Sequence, residues 1–349
     1  MKMLGWIRAN LFSSPLNSVL TVLALVLLYA TAPPLIDWAF ITADFAGETR
    51  HDCGRDGACW VFVMMRFGQF IYGFYPAPER WRVNVAFVLL ALAVAPLFSE
   101  RIRRLRRISI VFVVTGPPLA VLLFAGGFAG LAEVETAQWG GLMLTLIVAG
   151  VSIAASLPIG ILLALGRASE LPAIRALSIA FIELWRGVPL ITVLFMAAVM
   201  LPLFLPEGVT MNKLIRALIR VSLFAGAYMA EVVRGGIEAI PRGQVEAGHA
   251  LGLGYWRIMG SIVLPQALRI MIPGIVNVFV ALFKDTTLVL IIGLFDFLGI
   301  IKAALTDPNW LGFAIEGYVF AAVVFWVFCF SMSCYSARLE RQLGGARRL

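Results

Sequence analysis

Eight times between about residues 17 and 334 the chain runs for roughly 16 to 25 residues on mostly apolar side chains, and arginines gather at the ends of these runs. A hydrocarbon layer about 30 Å thick is crossed by about 20 apolar residues of helix, so this periodic spacing constrains the fold more than any other feature. The runs lie at about 17–40, 83–98, 108–131, 140–165, 182–205, 214–233, 265–283 and 313–334. They predict an all-α, polytopic helical membrane protein with about eight transmembrane helices. Composition agrees: 61% of residues are hydrophobic and only 14% charged, where a soluble domain carries about a quarter. The net charge of +8 does not call for a nucleic acid, because the arginines flank apolar runs, as the positive-inside rule requires.

That rule sets the topology. Five arginines fall in the seven residues Arg101 to Arg107, between the second and third runs. Such a cluster belongs in the cytoplasm, and the connection is too short to be a nucleic-acid-binding module. Eight spans then place both termini inside, with Arg8 at one end and Arg338, Arg341, Arg347 and Arg348 at the other. Ala30-Thr31-Ala32 has the form of a signal-peptidase site. Pro33 follows it directly and apolar character continues to Phe40, so a retained helix is expected.

Residues 41–82 form a polar, aromatic-rich excursion outside the membrane. Within it, Val61 to Tyr75 is apolar but contains Arg66 and is short for a span, which predicts a segment at the interface with Trp60, Phe67, Phe70, Tyr72, Phe74 and Tyr75 at headgroup level. Cys53 and Cys59 also lie here. An oxidising compartment permits them a disulfide, contributing about 2–3 kcal/mol for so short a loop; two free thiols is the alternative. Cys329 and Cys334 sit in the last apolar run, as ordinary packing residues.

One polar interruption stands apart, Arg234 to Pro265. It is too long for a turn and too short for a domain. Pro241 and Gly243 punctuate its start, 245–251 reads as two helical turns, Gly252-Leu253-Gly254 breaks them, and Tyr255 to Ile262 reads as a second short helix stopped by Pro265. Trp256, Met259 and Val263 make an apolar stripe on that second helix. Small residues at the bend and on the first helix allow another backbone to approach closely.

Glu246, Ala247, Gly248 and Gly252, followed by Ile262, Leu264 and Pro265, resemble the EAA loop of inner-membrane permease subunits of binding-protein-dependent ABC importers, with Gly248 in place of the second alanine. The resemblance extends over about 136–349. Residues 181–190, FIELWRGVPL, are similar to the ELFRGTPL element of the polar amino-acid uptake group. Residues 227–236, AYMAEVVRGG, resemble AYIAEIVRGG, and 284–288, KDTTL, resemble KDTSL. The additional N-terminal spans and cysteine-bearing region resemble the general L-amino-acid permease branch.

The resemblance implies an ABC type I importer permease core at 136–349, with an ATPase-coupling loop at about 235–265, and an N-terminal extension at 1–135 holding three spans and a periplasmic region at about 41–82. It implies a bacterial inner-membrane subunit that is not itself an enzyme. Its expected partners are an ATP-binding subunit dimer, a second permease subunit (a copy or a paralogue), a periplasmic solute-binding protein, a polar L-amino acid and membrane lipid. No cofactor is expected on this chain, ATP being bound by the partners; no Walker A pattern occurs in the sequence. His51 and His249 are the only histidines, too far apart for a HExxH metal site. Lys284, Asp285 and Thr286 are candidates for the substrate pathway, since a zwitterion needs both signs of charge and an ion at membrane depth is costly without a role. Glu183 and Arg186, three apart, are expected to share a helix face and pair. A rival reading of the composition alone is an ion-coupled secondary transporter of small polar solutes, although no internal repeat supports it. A membrane-embedded enzyme is a third.

Overall fold

The computed structural model describes residues 2–54, 56–98, 106–200 and 212–344. Its helices are α1 (Lys2–Asn10), α2 (Pro15–Ile36), α3 (Trp60–Tyr72), α4 (Arg80–Phe98), α5 (Arg106–Ala125), α6 (Gly141–Arg167), α7 (Pro172–Gly187), α8 (Leu190–Val199), α9 (Lys213–Glu238), α10 (Arg242–Ala250), α11 (Tyr255–Ile258), α12 (Leu264–Ile270), α13 (Ile272–Asp285), α14 (Phe297–Ala304) and α15 (Ala314–Gly344). Among the described residues the apolar runs are mostly helical, as predicted, although the third ends at Ala125 and not at 131. Among the described residues six segments are long and apolar enough to cross a membrane: Pro15–Ile41, Ala77–Leu97, Ile108–Ala125, Gly141–Arg167, Ile272–Ile292 and Ala314–Gln342. Helix α7 and Leu190–Met196 pass the same test together but meet at a 99° bend, the geometry of a broken span or a re-entrant loop. The remaining expected run corresponds to α9, which has the length, 26 residues, but carries Arg216, Arg220, Glu231 and Arg234 along it.

Arg101, Arg103 and Arg104 of the arginine run lie outside the described residues, as do Arg347 and Arg348. So does the end of the expected fifth run, 201–205.

Two compact units emerge, Met1–Phe67 with Ala304–Phe320, and Gly68–Ala303 with Ala321–Leu349. This division by compactness cuts elsewhere than the boundary near residue 135 suggested by the motifs, because α5 packs against both α4 and α6.

In the first unit, Ser14 caps α2, its hydroxyl accepting from the Asn17 N–H at 3.1 Å. No residue of α2 is buried, which suits a helix meeting lipid on all sides. After Pro33 and Pro34 the helix widens into a π turn, Asp37–Ile41, since prolines remove two of the N–H groups that would continue it. Cys53 and Cys59 are joined, with Cα atoms 5.5 Å apart. The buried Glu316 accepts the Cys59 N–H at 3.2 Å, and Arg66 pairs with Asp307. Phe62 is fully buried against Trp310 and Phe313. Of the aromatic residues expected at headgroup level, Phe70 and Tyr75 are buried in protein, while Phe67 and Phe74 are exposed. Val61, Phe62 and Phe70 are core residues, because α3 buries one face in protein and exposes Met64 and Phe67 on the other.

The second unit is built on α6 and α9. Gly226 and Ala230 are both buried on the face α9 turns to α6. A Cβ on Gly160 of α6 would stand 2.6 Å from Met229, so the backbones meet through small residues, as in many membrane helix pairs. The stretch 288–298, too short to span, folds inward: a 3₁₀ turn, Thr286–Ile292, buries Val289 and Ile292, and Phe295–Asp296 pairs with Gly140–Gly141 at the start of α6. Asp296 then caps α14, accepting from the Gly299 N–H at 3.0 Å and the Leu298 N–H at 3.2 Å.

Candidate functional site

The polar interruption forms a hairpin of helices in the second unit. Helix α10 spans Arg242–Ala250 and closes in a left-handed turn, the Gly252 N–H donating to the His249 carbonyl at 2.9 Å and the Leu253 N–H to that of Gly248 at 3.0 Å. This is a Schellman closure, which places a positive φ on the residue after the cap. Gly252 takes it, at φ 72°. The return strand of the hairpin runs through α11, a π turn at Met259–Val263 and α12. A small core of Ile240, Ile258, Val263 and Ala267 holds the two arms together, and Gln266 donates to Gln244 at 2.6 Å across them.

Two details differ from the sequence expectation. Pro265 does not stop the second arm. It sits in the first turn of α12, where no N–H is needed, and the preceding π turn gives its ring room. The apolar stripe divides, with Val263 buried and Trp256 73% exposed.

Of the loop residues singled out, Glu246, Ala247 and Gly252 are exposed, together with Leu251, Tyr255 and Pro265. Ile262 and Leu264 are half-buried. Gly248 is buried, and a Cβ there would stand 2.9 Å from Ile258 Cγ1. Its small size thus serves contact between the hairpin's own arms.

Where α6, α7 and α9 converge, six charged side chains form one network. Arg167 donates to Glu231 at 2.9 Å and to Glu183 at 3.1 Å. Arg234 reaches Glu231 at 3.0 Å and Glu238 at 2.6 Å, and Arg186 approaches Glu231 at 3.8 Å. Glu183 and Arg186 therefore pair with neighbouring helices and not with each other, since α6 and α9 present opposite charges to each. Glu231 is the hub, facing three arginines. Its spacing of three from Arg234 within an otherwise apolar run was the available signal.

Alongside lies a cavity of about 510 Å³ lined by Phe224, Tyr228 and Val232 of α9 and by Gly274, Asn277, Ala281 and Asp285 of α13, among others. Of the three pathway candidates the cavity takes only Asp285. Lys284 is exposed and off its wall. Thr286 is buried, its hydroxyl donating to the Phe283 carbonyl at 2.8 Å. Asn277 and Tyr228 are the polar lining residues that sequence reasoning passed over. Among the described residues no group of histidines, cysteines and carboxylates could hold a metal ion.

Long membrane-crossing helices, a polar helical hairpin and a cavity between two helices are the features of a helical permease subunit. The chain belongs to the family of binding-protein-dependent transport system inner membrane components, whose model matches residues 156–345. It is therefore a multi-pass inner-membrane transport subunit of an ABC system and not an enzyme, with ATP hydrolysis on a separate subunit. It is 55% identical over 342 residues to the inner membrane amino-acid ABC transporter permease protein YhdY of Escherichia coli (strain K12), covering 98% of this chain and 93% of that protein. It is 40% identical over 404 residues to the glutamate/glutamine/aspartate/asparagine transport system permease protein BztC of Rhodobacter capsulatus, covering 97% and 93%. A crystal structure of an amino acid ABC transporter with histidines superposes with a TM-score of 0.51 at 26% identity, over 58% of this chain and 92% of that one.

Proposed function

We propose that this chain carries polar L-amino acids into the cytoplasm as one of a pair of permease subunits, identical or paralogous. Two ATP-binding subunits and a periplasmic solute-binding protein complete the assembly, ATP stays with the partners, and both termini and the arginine run from Arg101 to Arg107 face the cytoplasm. The observation that carries the reading is the nearly full-length likeness to an amino-acid permease.

The hairpin is the coupling element. Glu246 and Ala247 on α10, with exposed Leu251, Tyr255 and Trp256 around the bend, make a surface suited to a groove on an ATP-binding subunit. Closure of those subunits pulls the hairpin. The pull reaches α9, which leads into α10, and α13, which follows α12 across a single break at Met271. These are the two helices that wall the cavity, so its access changes with the nucleotide state.

Uptake of radiolabelled glutamine and arginine into vesicles holding the complete assembly tests the reading. Uptake that needs ATP and the binding protein, and that vanadate abolishes, is the expected result. Uptake that ignores vanadate and collapses with an uncoupler would establish the ion-coupled alternative.

A further inference from the structure

A second cavity, of about 310 Å³, lies between α4, α5 and α6 and follows α5 from Phe112 to Phe124. No polar side chain lines it. Its side is open, since Leu89, Phe112 and Leu119 on its wall are exposed. Its far end is closed: Phe124 is buried with its ring 5.7 Å from that of Trp139, and in the connection to α6 the Ala132 carbonyl accepts from Arg82 at 2.8 Å. The helices cannot shut the gap by moving together, because they already touch beside it. A Cβ on Gly150 of α6 would stand 2.6 Å from Cγ of Pro117 on α5. An apolar void left empty is costly, since the atoms around it lose their contacts, and what surrounds these helices in a bilayer is hydrocarbon.

Length and charge say which hydrocarbon fits. Phe112 and Phe124 are twelve residues apart, about 18 Å of helix. Half of a hydrocarbon layer is about 15 Å thick, so the cavity takes one acyl chain of one leaflet. Helix α5 begins Arg106-Arg107, with no acidic residue in its first turn. Phe112, at the open end of the cavity, follows Arg107 by five residues, about 8 Å along the helix. The glycerol esters and first methylenes of a phospholipid fill that interval when its phosphate lies level with the two arginines. Basic residues at the membrane surface favour anionic headgroups, and a guanidinium suits a phosphate because it offers two parallel N–H donors.

We propose that this cavity is a binding site for an anionic phospholipid, one acyl chain lying between α4, α5 and α6 and the headgroup at the first turn of α5, level with Arg106 and Arg107. The lipid fills the gap that the Pro117–Gly150 contact holds open, and so joins α4 and α5 to α6 of the family core. The inference goes beyond the transport reading and does not depend on the solute carried.

The test is photolabelling of the permease–ATPase complex in nanodiscs with a phosphatidylglycerol that carries a diazirine near the end of one acyl chain, the labelled peptides being located by mass spectrometry. Label is expected to concentrate on the cavity wall, within 112–124 and 143–147, and unlabelled phosphatidylglycerol should compete better than phosphatidylcholine. Gly116 lines the cavity and a Cβ there meets nothing within 4 Å, so Gly116→Leu fills the space without a clash and should cut that label by about tenfold. Arg106→Gln with Arg107→Gln should lower the preference for phosphatidylglycerol over phosphatidylcholine by about fivefold or more. Label spread evenly over lipid-facing residues overturns the proposal, as does undiminished label in Gly116→Leu. Equal competition by the two lipids, or a preference that survives loss of both arginines, also overturns it. Should Gly116→Leu not assemble, the wild-type map and the arginine variant decide.

Discussion

The bend of the hairpin offers a sharp test, because a substitution at Gly252 has one physical cost and not two. A Cβ placed there meets nothing within 4 Å, so no side-chain clash arises within the subunit. The cost is the backbone at φ 72°, about 1–2 kcal/mol for an L-residue in the left-handed region. A β-branched residue belongs at the upper end of that range. One to two kcal/mol shifts an equilibrium by a factor of about 5–30, enough to populate hairpins whose Schellman closure is open. Gly252→Val should therefore speed amide exchange at Gly252 and Leu253, whose N–H groups make that closure. It should also lower co-purification of the ATP-binding subunits or uncouple hydrolysis from uptake. Gly252→Asn should recover most of the loss, because asparagine tolerates the left-handed region. The assay is hydrogen exchange on the purified subunit beside ATPase pull-down and substrate-stimulated hydrolysis. Wild-type exchange, association and coupling in Gly252→Val would refute the coupling role. An Asn variant as impaired as Val, with slow exchange retained, would refute the conformational explanation and point to contact with the partner.

Other perturbations follow from the same structure. Glu246→Lys should weaken ATPase association and leave insertion intact, measured by the same pull-down; unchanged association would remove Glu246 from the docking surface. Asp285→Asn should lower uptake while Lys284→Gln should not, since only Asp285 lines the cavity; equal effects in transport assays would contradict that assignment. Burial raises the Asp296 carboxyl to about 6 despite the Gly299 and Leu298 N–H groups that favour its charged form, against about 3.9 in an unfolded chain. The folded state thus binds more protons between these values, so stability falls as pH rises from about 4 through 6, by about 3 kcal/mol in all. Thermal unfolding of Asp296→Asn, which keeps a capping oxygen, should lack that slope; an unchanged slope would assign it elsewhere. Gly160→Leu should destabilise the α6–α9 contact by at least about 1–3 kcal/mol, read as loss of assembled complex in detergent; normal yield and melting would contradict the close approach at Met229.

The sequence alone determined the class. Apolar runs of membrane length and arginines at their ends are one-dimensional signals, because the bilayer acts on each segment separately. The bend of the polar hairpin was equally legible, since Gly252 and the short helices before and after it are read from local backbone preference. Tertiary structure decided what depends on neighbours. Val61 to Tyr75 is as greasy as an interfacial helix, and only packing against residues such as Trp310 and Phe313 makes its inner face core. Spacing of three brought Glu183 and Arg186 together on paper, whereas α6 and α9 brought each a closer opposite charge. Lys284 and Asp285 are adjacent in the chain, yet successive helical residues point about 100° apart, so one faces the cavity and the other does not. That Gly248 faces Ile258 of the hairpin's other arm is likewise visible only in the folded chain. In each case the burial and partner of a side chain are set by a helix distant in sequence, which no local pattern encodes.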